Sequence, residues 1–362
     1  MSKAAELAAL IGSQTALSHR NLIINGAMQV AQRATSKASV SAGSDYHTID
    51  RYLLAINAMG TFTLSQAADG PSGFSTAYKL DCTTANASPA AGAYILFIQN
   101  IEAQHLQSLD FGSSGAKQIT LSFYVKSNKT GTYIVELSLP DAGTNLKNQQ
   151  SYTINSANTW ERKTLTYVGN TTASDAINND NGNGMGVHFW VGAGSTFGGG
   201  TLNSNVWANT ASANRAAGQV NLADSTSNEW SITGVQLELG EQATPFEHRS
   251  FGDEFIRCQR YHQRFTGVSN ARVGFGTKTS ATNARCILPF NTPMRATPAQ
   301  SVTGTPRFET GAAAQNVSSI NTSGANTLCG SFDATTASGG AQNDPGVLDL
   351  GDGGYIFDAE LS

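Results

Sequence analysis

Runs in which apolar and polar residues alternate follow one another between Asn21 and about Phe246. The clearest runs are Ile119–Val125 and Tyr133–Leu139. Side chains of a β-strand point alternately to its two faces, so such runs predict strands with one buried face. Almost no helical periodicity interrupts them. The sequence therefore predicts an all-β sandwich, in which the turn Asn128–Gly131 joins these two strands as a hairpin.

Two stretches rich in branched apolar residues lie at the ends of this series. They are Asn21–Gln29 and Trp230–Leu239. In the second stretch the alternation changes phase at Gly234, which is typical of a β-bulge. We expect the two stretches to be neighbouring first and last strands of one jelly-roll unit, with Ile23 and Val235 in the same domain.

The residues of these two stretches resemble the opening and closing segments of jelly-roll carbohydrate-binding modules of the xylanase type. They are more similar still to bacteriophage tail-fibre proteins whose central module opens and closes in this way. The similarity continues, in order, through Gln99–Glu102, Thr120–Ser127, Thr130–Tyr133, Tyr152–Asn155, Asn158–Glu161, Thr244–Arg249 and Cys258–Tyr261. The resemblance implies a mainly β fold and a virion protein, usually three-fold, of the tail-fibre or receptor-binding kind.

Four segments are expected along the chain. Residues 1–20 are an N-terminal attachment segment, in which Ser2–Gln14 predicts a short helix. Residues 21–246 are the jelly roll, residues 247–266 a linking helix, and residues 267–362 a β-rich tip. Because a helix this short is marginal alone in water, Ser2–Gln14 must dock on its own sandwich, on sister chains or on a larger particle. We favour assembly over docking in cis.

The linking helix carries one apolar stripe. Its members recur at spacings of three and four, and they are Phe251, Phe255, Cys258, Tyr261, His262 and Phe265. The stripe fits two arrangements equally: a helix packed on the sandwich, or a short trimeric bundle with Tyr261 at its seam.

The tip is poor in large apolar residues between Gly311 and Asp344. Such a segment would struggle to fold by itself, and packing against copies of itself would supply the missing burial. Short strands are expected at Arg285–Leu288 and Tyr355–Leu361.

Charge and cysteine usage exclude several classes of function. The net charge is -4 and only 13% of residues are charged, which argues against a clustered basic surface for nucleic acid. The cysteines are too far apart for a zinc or redox motif, and buried thiols made in a reducing cytosol are the better interpretation. They are Cys82, Cys258, Cys286 and Cys329. The N-terminus lacks a secretory signal and no apolar stretch approaches about 20 residues, so no membrane partner is expected.

Motifs of catalysis are absent from the sequence. There is no Gly-x-Ser-x-Gly elbow, phosphate loop or His-Glu-x-x-His, and the six histidines are scattered. A glycosidase would need two carboxylates about 5–10 Å apart. Candidates are Asp69, Asp81, Glu102 and Asp110, but 26 acidic residues make accidental pairs inevitable. We expect a protein that is not an enzyme and binds no cofactor.

One loop, Asp175–Gly184, is rich in oxygen donors that a hard cation such as Ca²⁺ would accept. An Asn/Asp/Gly turn is the commoner explanation of such a loop. The carbohydrate-binding modules often hold a structural calcium near their terminal strands. This chain has Gln29, Thr233 and Gly234 where those modules carry acidic residues, so no metal site is expected.

Sugar binding in folds of this kind uses aromatic faces stacked on pyranose rings. Candidates are Trp190, Trp207, Tyr133 and Tyr152, although most aromatic residues in strands belong to the core.

The sequence predicts a phage virion structural protein, either a tail fibre or a receptor-binding protein that contacts a host surface glycan. It would be made in the host cytoplasm and located on the tail or the particle surface. Its expected partners are sister chains in a homotrimer, other virion proteins and the host glycan or receptor. Two alternatives stay open: a capsid or tail decoration fibre without receptor binding, and a glycan depolymerase.

Overall fold

The structure is a computed structural model that describes residues 20–141, 143, 145–267, 269, 271–311 and 313–361. The chain divides into two compact units. The described part of the first unit is residues 20–251 with Leu361, and the second unit is Gly252–Glu360. The helix expected over Ser2–Gln14 lies outside the described residues. No helix among the described residues is long and apolar enough to cross a membrane.

The first unit is built on one antiparallel sheet of ten strands. The strands are β1 Ser36–Asp45, β2 Leu53–Ala67, β3 Ala77–Thr84, β4 Tyr94–Glu102, β5 Ile119–Ser127, β6 Gly131–Leu139, β7 Leu146–Ile154, β8 Glu161–Tyr167, β9 Asn183–Ala193 and β10 Glu229–Leu239. The described helical turns are short. They are a 3₁₀ turn at Ala103–Leu109, 3₁₀ turns at Ala173–Asp175, Ser212–Asn214 and Leu222–Asp224, and helix α1 at Ser195–Gly198.

Strand β2 folds this sheet into two layers. Its first half, Leu53–Asn57, pairs with β4, and its second half, Thr61–Ala67, pairs with β3. Between the halves, Ala58 and Gly60 have positive φ values of 49° and 88°, a conformation that bends the strand. Layer A contains β7, β6, β9, β4 and the first half of β2, and layer B contains the second half of β2, β3, β10, β5 and β8. Strand β1 pairs along both halves of β2.

Aromatic side chains from the two layers meet in one core. Phe123 of layer B contacts Phe189 of layer A with ring centroids 5.1 Å apart, and Phe97 of layer A contacts Trp230 of layer B at 5.7 Å. Strands that are distant within the sheet therefore pack face to face, which makes this unit a jelly-roll β-sandwich. The predicted mainly β fold is confirmed.

The two terminal stretches are neighbours, as predicted. The backbone N–H of Leu22 donates to the carbonyl of Leu237 at 2.8 Å, and the N–H of Val235 donates to the carbonyl of Gly26 at 3.0 Å. The bulge is also confirmed, because the register between β10 and β5 shifts between Thr233 and Gln236.

The prediction that Asn21–Gln29 is a strand is wrong. Asn25 and Met28 have positive φ values of 59° and 57°. The side-chain oxygen of Asn25 accepts the N–H groups of Gln29 and Val30 at 2.9 and 3.0 Å. These backbone N–H groups bond to the Asn25 side chain where a strand would bond to a neighbouring strand. Such bonds close a turn, so the chain folds back after its first contacts with β10.

The predicted hairpin between β5 and β6 is also wrong. Strand β5 pairs with β10 and β8, whereas β6 pairs with β7 and β9. The turn at Asn128 instead crosses from layer B to layer A. Alternation correctly predicted that Phe123 and Val135 point into the core. An inward-facing side chain is buried whether the next strand of the sequence pairs with its own strand or lies in the opposite layer. Alternation therefore did not identify which strands β5 and β6 pair with.

The second unit begins within helix α2, Phe251–Gln259, and continues as short strands. These are β11 His262–Phe265, β12 Arg272–Ser280, β13 Asn283–Pro289, β14 Ala299–Thr303, β15 Arg307–Thr310, β16 Ala314–Thr322, β17 Cys329–Thr336, β18 Pro345–Asp349 and β19 Gly354–Asp358. Six of them form a closed barrel in the order β12-β13-β17-β16-β15-β18, and β11-β19-β14 form a separate sheet.

The second unit has a core of its own, formed by barrel strands together with β19, contrary to the expectation that the region lacks the burial for one. Glycines at inward positions make room for a few large rings. A Cβ at Gly346 would lie 2.5 Å from the ring of Phe308, and one at Gly330 would lie 2.3 Å from the ring of Phe357. A few large rings, Phe308 in the barrel and Phe357 in the separate sheet, therefore fill much of this core.

The linking helix is shorter than predicted, because residues 262–265 belong to β11. Cys258 and Tyr261 are fully buried within the single chain, so the expectation that Tyr261 forms an intersubunit seam is wrong. The exposed apolar side chains of α2 are Phe251 and Ile256, which are 58% and 53% exposed. All four cysteines are free thiols, and Cys329 is partly exposed.

Candidate functional site

The outer face of layer A is apolar, although the outer face of an antiparallel sandwich normally carries polar side chains to water. Leu96 of β4, Ile134 of β6 and Trp190 of β9 form a buried cluster there. Residues 194–222, hereafter the covering segment, lie over this face: Ala216 is buried in the same cluster and Phe197 packs against it. The covering segment therefore shields the apolar outer face of layer A from water.

An ion pair fastens the covering segment to the sheet. The guanidinium of Arg215 donates from Nε and Nη2 to the two carboxylate oxygens of Glu136 on β6, at 2.9 and 2.6 Å. Gln149 donates a third hydrogen bond to this carboxylate at 3.0 Å, and Nδ1 of His188 lies 3.3 Å from it. Burial raises the pKa of Glu136, but Arg215 and His188 outweigh burial and lower the pKa to about 2. Glu136 is therefore a structural anion and is not available as a proton donor.

A pocket of about 230 Å³ opens between the covering segment and the sheet. Its lining residues are Ala55, Tyr94, Leu96, Trp190, Phe197 and Arg215. The ring of Phe197 is perpendicular to that of Tyr94 at 5.7 Å and lies 5.4 Å from that of Trp190. The guanidinium of Arg215 lies over the Trp190 ring at 5.2 Å. The arrangement gives three aromatic walls and one cationic wall.

Two side chains at this pocket carry hydrogen-bond donors. The indole Nε1 of Trp190 is buried and has no hydrogen-bond partner among the described residues. The Nη1 group of Arg215 is not used by the ion pair with Glu136, which involves only Nε and Nη2, and the arginine side chain is partly exposed. A buried donor without an acceptor costs about 1–3 kcal/mol, and this applies to the indole Nε1 of Trp190 only. The pocket is thus suited to a small ring compound with an apolar face and oxygen acceptors.

Of the four aromatic residues proposed from the sequence, Trp190 lines the pocket. Tyr133 and Tyr152 are buried between the layers, with stacked rings 5.5 Å apart. Trp207 packs against Phe111 and donates its indole N–H to the carbonyl of Val168 at 2.7 Å. These three side chains do not reach the pocket.

The four candidate carboxylates do not converge on the pocket either. Asp69 pairs with Lys126 and accepts a hydrogen bond from Trp160 at 3.3 Å, and both partners lie on layer B or beside it. Asp81 lies on β3, Glu102 ends β4, and Asp110 follows the 3₁₀ turn Ala103–Leu109. No described carboxylate lines the pocket.

In the loop Asp175–Gly184 the side-chain oxygens close local turns. The side-chain oxygen of Asn178 accepts the N–H of Asp180 at 3.1 Å, and a carboxylate oxygen of Asp180 accepts the N–H of Gly182 at 2.7 Å. Asp175 is buried. Among the described residues, no group of three or more histidine, cysteine, aspartate or glutamate side chains is placed to hold a metal ion.

Gln29, Thr233 and Gly234 are the positions at which the sequence lacks the acidic residues of a calcium site. Gly234 forms the bulge of β10, and the Thr233 side chain is buried. The Gln29 carbonyl accepts a hydrogen bond from Gln66 at 3.0 Å.

The sequence reasoning missed Tyr94, Glu136, Phe197 and Arg215. One signal was present for the strand residues. Val187, Phe189 and Val191 point inward, so His188 and Trp190 must point outward, where a tryptophan is unexpected unless something covers it. Arg215 and Phe197 gave no such signal, since they lie in a glycine- and asparagine-rich segment without periodicity.

No protein-family model matches the sequence, and no curated protein is significantly similar to it. Several solved structures are similar to part of the chain. One is the enzymatically active domain of tailspike protein 4 from bacteriophage CBA120, with 17% identity and a TM-score of 0.32; the match covers 60% of this chain and 21% of that chain.

Another is a family 22 carbohydrate-binding module of a Clostridium thermocellum xylanase, with 10% identity, a TM-score of 0.30, and coverage of 57% of this chain and 99% of that one. A third is the family 11 carbohydrate-binding module of a Clostridium thermocellum cellulosomal cellulase, with 9% identity, a TM-score of 0.28, and coverage of 57% and 100%.

Proposed function

We propose that the protein is a phage virion structural protein, a tail fibre or receptor-binding protein, whose jelly-roll unit binds a glycan of the host cell surface. The observation that carries the binding role is the pocket of Tyr94, Trp190, Phe197 and Arg215, which brings three aromatic rings and a guanidinium together. The virion role rests on the sequence resemblance to tail-fibre proteins.

The shape and chemistry of the pocket suit a sugar ring. Clefts for drug-sized ligands measure about 300–1,000 Å³, so a pocket of about 230 Å³ suits one ring of an oligosaccharide. A pyranose has an apolar face that packs on aromatic side chains, and hydroxyl oxygens that accept hydrogen bonds. Nη1 of Arg215, which the ion pair with Glu136 leaves unused, can supply such a bond. The remaining sugars of a chain would extend into solvent from the open side of the pocket.

We propose binding without hydrolysis. Hydrolysis of a glycosidic bond needs two carboxyl groups on either side of it, about 5–10 Å apart. The pocket lining contains none, and the nearby Glu136 is engaged by Arg215 and Gln149. The depolymerase alternative would require a site elsewhere.

We also propose that the chain assembles with copies of itself and with other virion proteins. In the virion the chain would form a homotrimer and contact other virion proteins, and its presence on the tail or particle surface would follow from that. The exposed Phe251 and Ile256 on α2 are apolar side chains that association would bury. Such burial stabilises by about 25 cal/mol per Å² of apolar area.

The test is a glycan-array screen with the full chain, followed by calorimetric titration of the best glycan or host polysaccharide. Tyr94→Ala and Phe197→Ala truncate partly exposed pocket walls and should each weaken binding by about tenfold or more, as expected for stacking residues worth 1–3 kcal/mol. Trp160→Ala is the matched control, because Trp160 is a partly exposed aromatic residue beside Lys126 on layer B and outside the pocket.

Three outcomes would contradict parts of this proposal. Equal losses in all three variants would indicate a general structural effect and not this pocket. Absence of binding to any glycan or host cell would favour the decoration-fibre alternative. Shortening of the polysaccharide during incubation would establish the depolymerase alternative.

A further inference from the structure

Three polar side chains meet inside one end of the barrel of the second unit. They come from different strands: Lys278 from β12, Gln315 from β16 and Thr336 from β17. All three are buried, and Lys278 is only 1% exposed. The Nζ of Lys278 donates to the Gln315 Oε1 at 2.8 Å and to the Thr336 Oγ1 at 2.6 Å.

The lysine has no carboxylate ion pair among the described residues. A buried ammonium group without an anion is costly, which favours the neutral amine. Burial accordingly lowers the pKa of Lys278, although Cys286 and Asp344 oppose the shift. A neutral lysine amine is a nucleophile, and the Gln315 carboxamide lies within hydrogen-bond distance of it.

We propose that Nζ of Lys278 attacks Cδ of Gln315 and forms an amide cross-link between β12 and β16, with release of ammonia. Since a C=O bond is about 1.23 Å long, a hydrogen bond of this length to Oε1 places Nζ about 3–4 Å from Cδ. That range overlaps the near-attack separation of about 3–3.5 Å at which oriented groups react. The burial of both partners holds this geometry and excludes competing water.

The reaction balances without a further reagent. The lone pair of Nζ forms a bond to Cδ, and a proton passes from Nζ to Nε2 of Gln315. The Cδ–Nε2 bond then breaks, its electron pair leaves with the nitrogen, and ammonia departs. Nothing is oxidised or reduced, so neither an oxidant nor a cofactor is required.

Groups that could move the proton lie at both ends of this path. On the lysine side, the Thr336 hydroxyl already accepts a hydrogen bond from Nζ. On the leaving side, Nε2 of Gln315 has no partner among the described residues. A carboxylate borders the same space as Nε2 of Gln315. A Cβ built on Gly340 would lie 3.2 Å from Oδ2 of Asp344 and 3.5 Å from Nε2 of Gln315. Asp344 is thus near the nitrogen that must be protonated.

The cross-link would span the barrel. In the strand order β12-β13-β17-β16-β15-β18, β12 and β16 are three steps apart in either direction, so they lie on opposite sides. A covalent bond between them would tie together strands that share no backbone ladder.

Mass spectrometry of the purified full chain tests the proposal directly. The intact mass should be lower than the sequence mass by one ammonia. Peptide mapping should recover a branched peptide that joins Lys278 to Gln315. Lys278→Arg and Gln315→Met should both restore the full mass expected for their sequences, and circular dichroism would verify that they fold. Asp344→Asn should slow the appearance of the cross-link after refolding.

Several results would overturn the proposal. A wild-type protein at full mass, with Lys278 and Gln315 in separate peptides, would reject it without any variant. A mass loss that persists in Lys278→Arg but disappears in Thr336→Val would indicate an ester of Thr336 instead. A loss that maps to an Asn-Gly sequence such as Asn181-Gly182 would indicate ring closure of asparagine.

Discussion

Glu136 on β6 is fully buried, and Arg215 of the covering segment binds both of its carboxylate oxygens, at 2.6 and 2.9 Å. The arginine side chain retains 19% exposure, and it also forms one wall of the pocket. One side chain therefore fastens the covering segment and shapes the candidate site.

Arg215→Met should destabilise the first unit by about 3–5 kcal/mol, because it leaves the Glu136 carboxylate buried without its counter-ion. The free energy of unfolding from urea titrations would measure this. Lys79→Met is the matched control: it breaks the more exposed pair with Glu229, and such pairs contribute about 0–1 kcal/mol. Equal effects of the two substitutions would contradict the role given to Arg215.

The same pair predicts a pH dependence. The pKa of Glu136 is lowered from 4.5 to about 2, so folding favours its ionised form. The resulting stability is fully present above the unfolded value and is lost as the pH falls through the folded value. The stability of the wild type should therefore fall between about pH 5 and 2 more steeply than that of Glu136→Gln. Urea titrations across this range would show it. Parallel curves would contradict the assignment.

Gly234 occupies the bulge of β10 with a φ of 63°, and a Cβ there would lie 2.8 Å from the ring of Phe74. Gly218 also has a positive φ, 87°, but has nothing within 4 Å of that position. Gly218→Ala should cost about 1–2 kcal/mol from backbone strain alone. Gly234→Ala should cost more, since it adds a steric clash. Similar unfolding free energies for the two variants would show that Phe74 moves aside freely.

If the chain forms a homotrimer, light scattering should give about three times the chain mass of 37.9 kDa. Ile256→Asp should lower that mass, because it puts a charge on the exposed side of α2. Leu328→Asp, at a side chain 64% exposed on the barrel, should leave the mass unchanged. Tyr261→Asp would not test the seam, since that residue is buried in the single chain and the substitution would unfold it. A mass near that of one chain at micromolar concentration would reject the trimer.

Local patterns predicted the strands and their inward faces well. The alternation of Ile119, Leu121, Phe123 and Val125 matched β5, and the phase change at Gly234 matched the bulge. Patterns of this kind depend on neighbouring residues of one strand. Whether the turn at Asn128 closes a hairpin or crosses to the other layer depends on strands that are distant in the sequence. No local pattern could therefore predict it.

The candidate site was predictable only in part. Trp190 was named because tryptophan is rare and chemically distinctive. Its partner Arg215 became important through a pair with Glu136, 79 residues away in the chain. The helical stripe after Phe251 misled for a similar reason: Phe265 continues the spacing in sequence, but the backbone leaves the helix after Gln259 and enters β11.

Strand β2 belongs to both layers, and this has a consequence for how the first unit opens. Unfolding of β2 would disrupt both layers at once, because it breaks the ladder of Leu53–Asn57 with β4 in layer A and that of Thr61–Ala67 with β3 in layer B. Amide hydrogens of the two halves should therefore exchange with solvent at one common rate set by global unfolding, as in a single cooperative unit. Under mechanical tension the first unit would then unfold in one step, with no intermediate in which only one layer is lost.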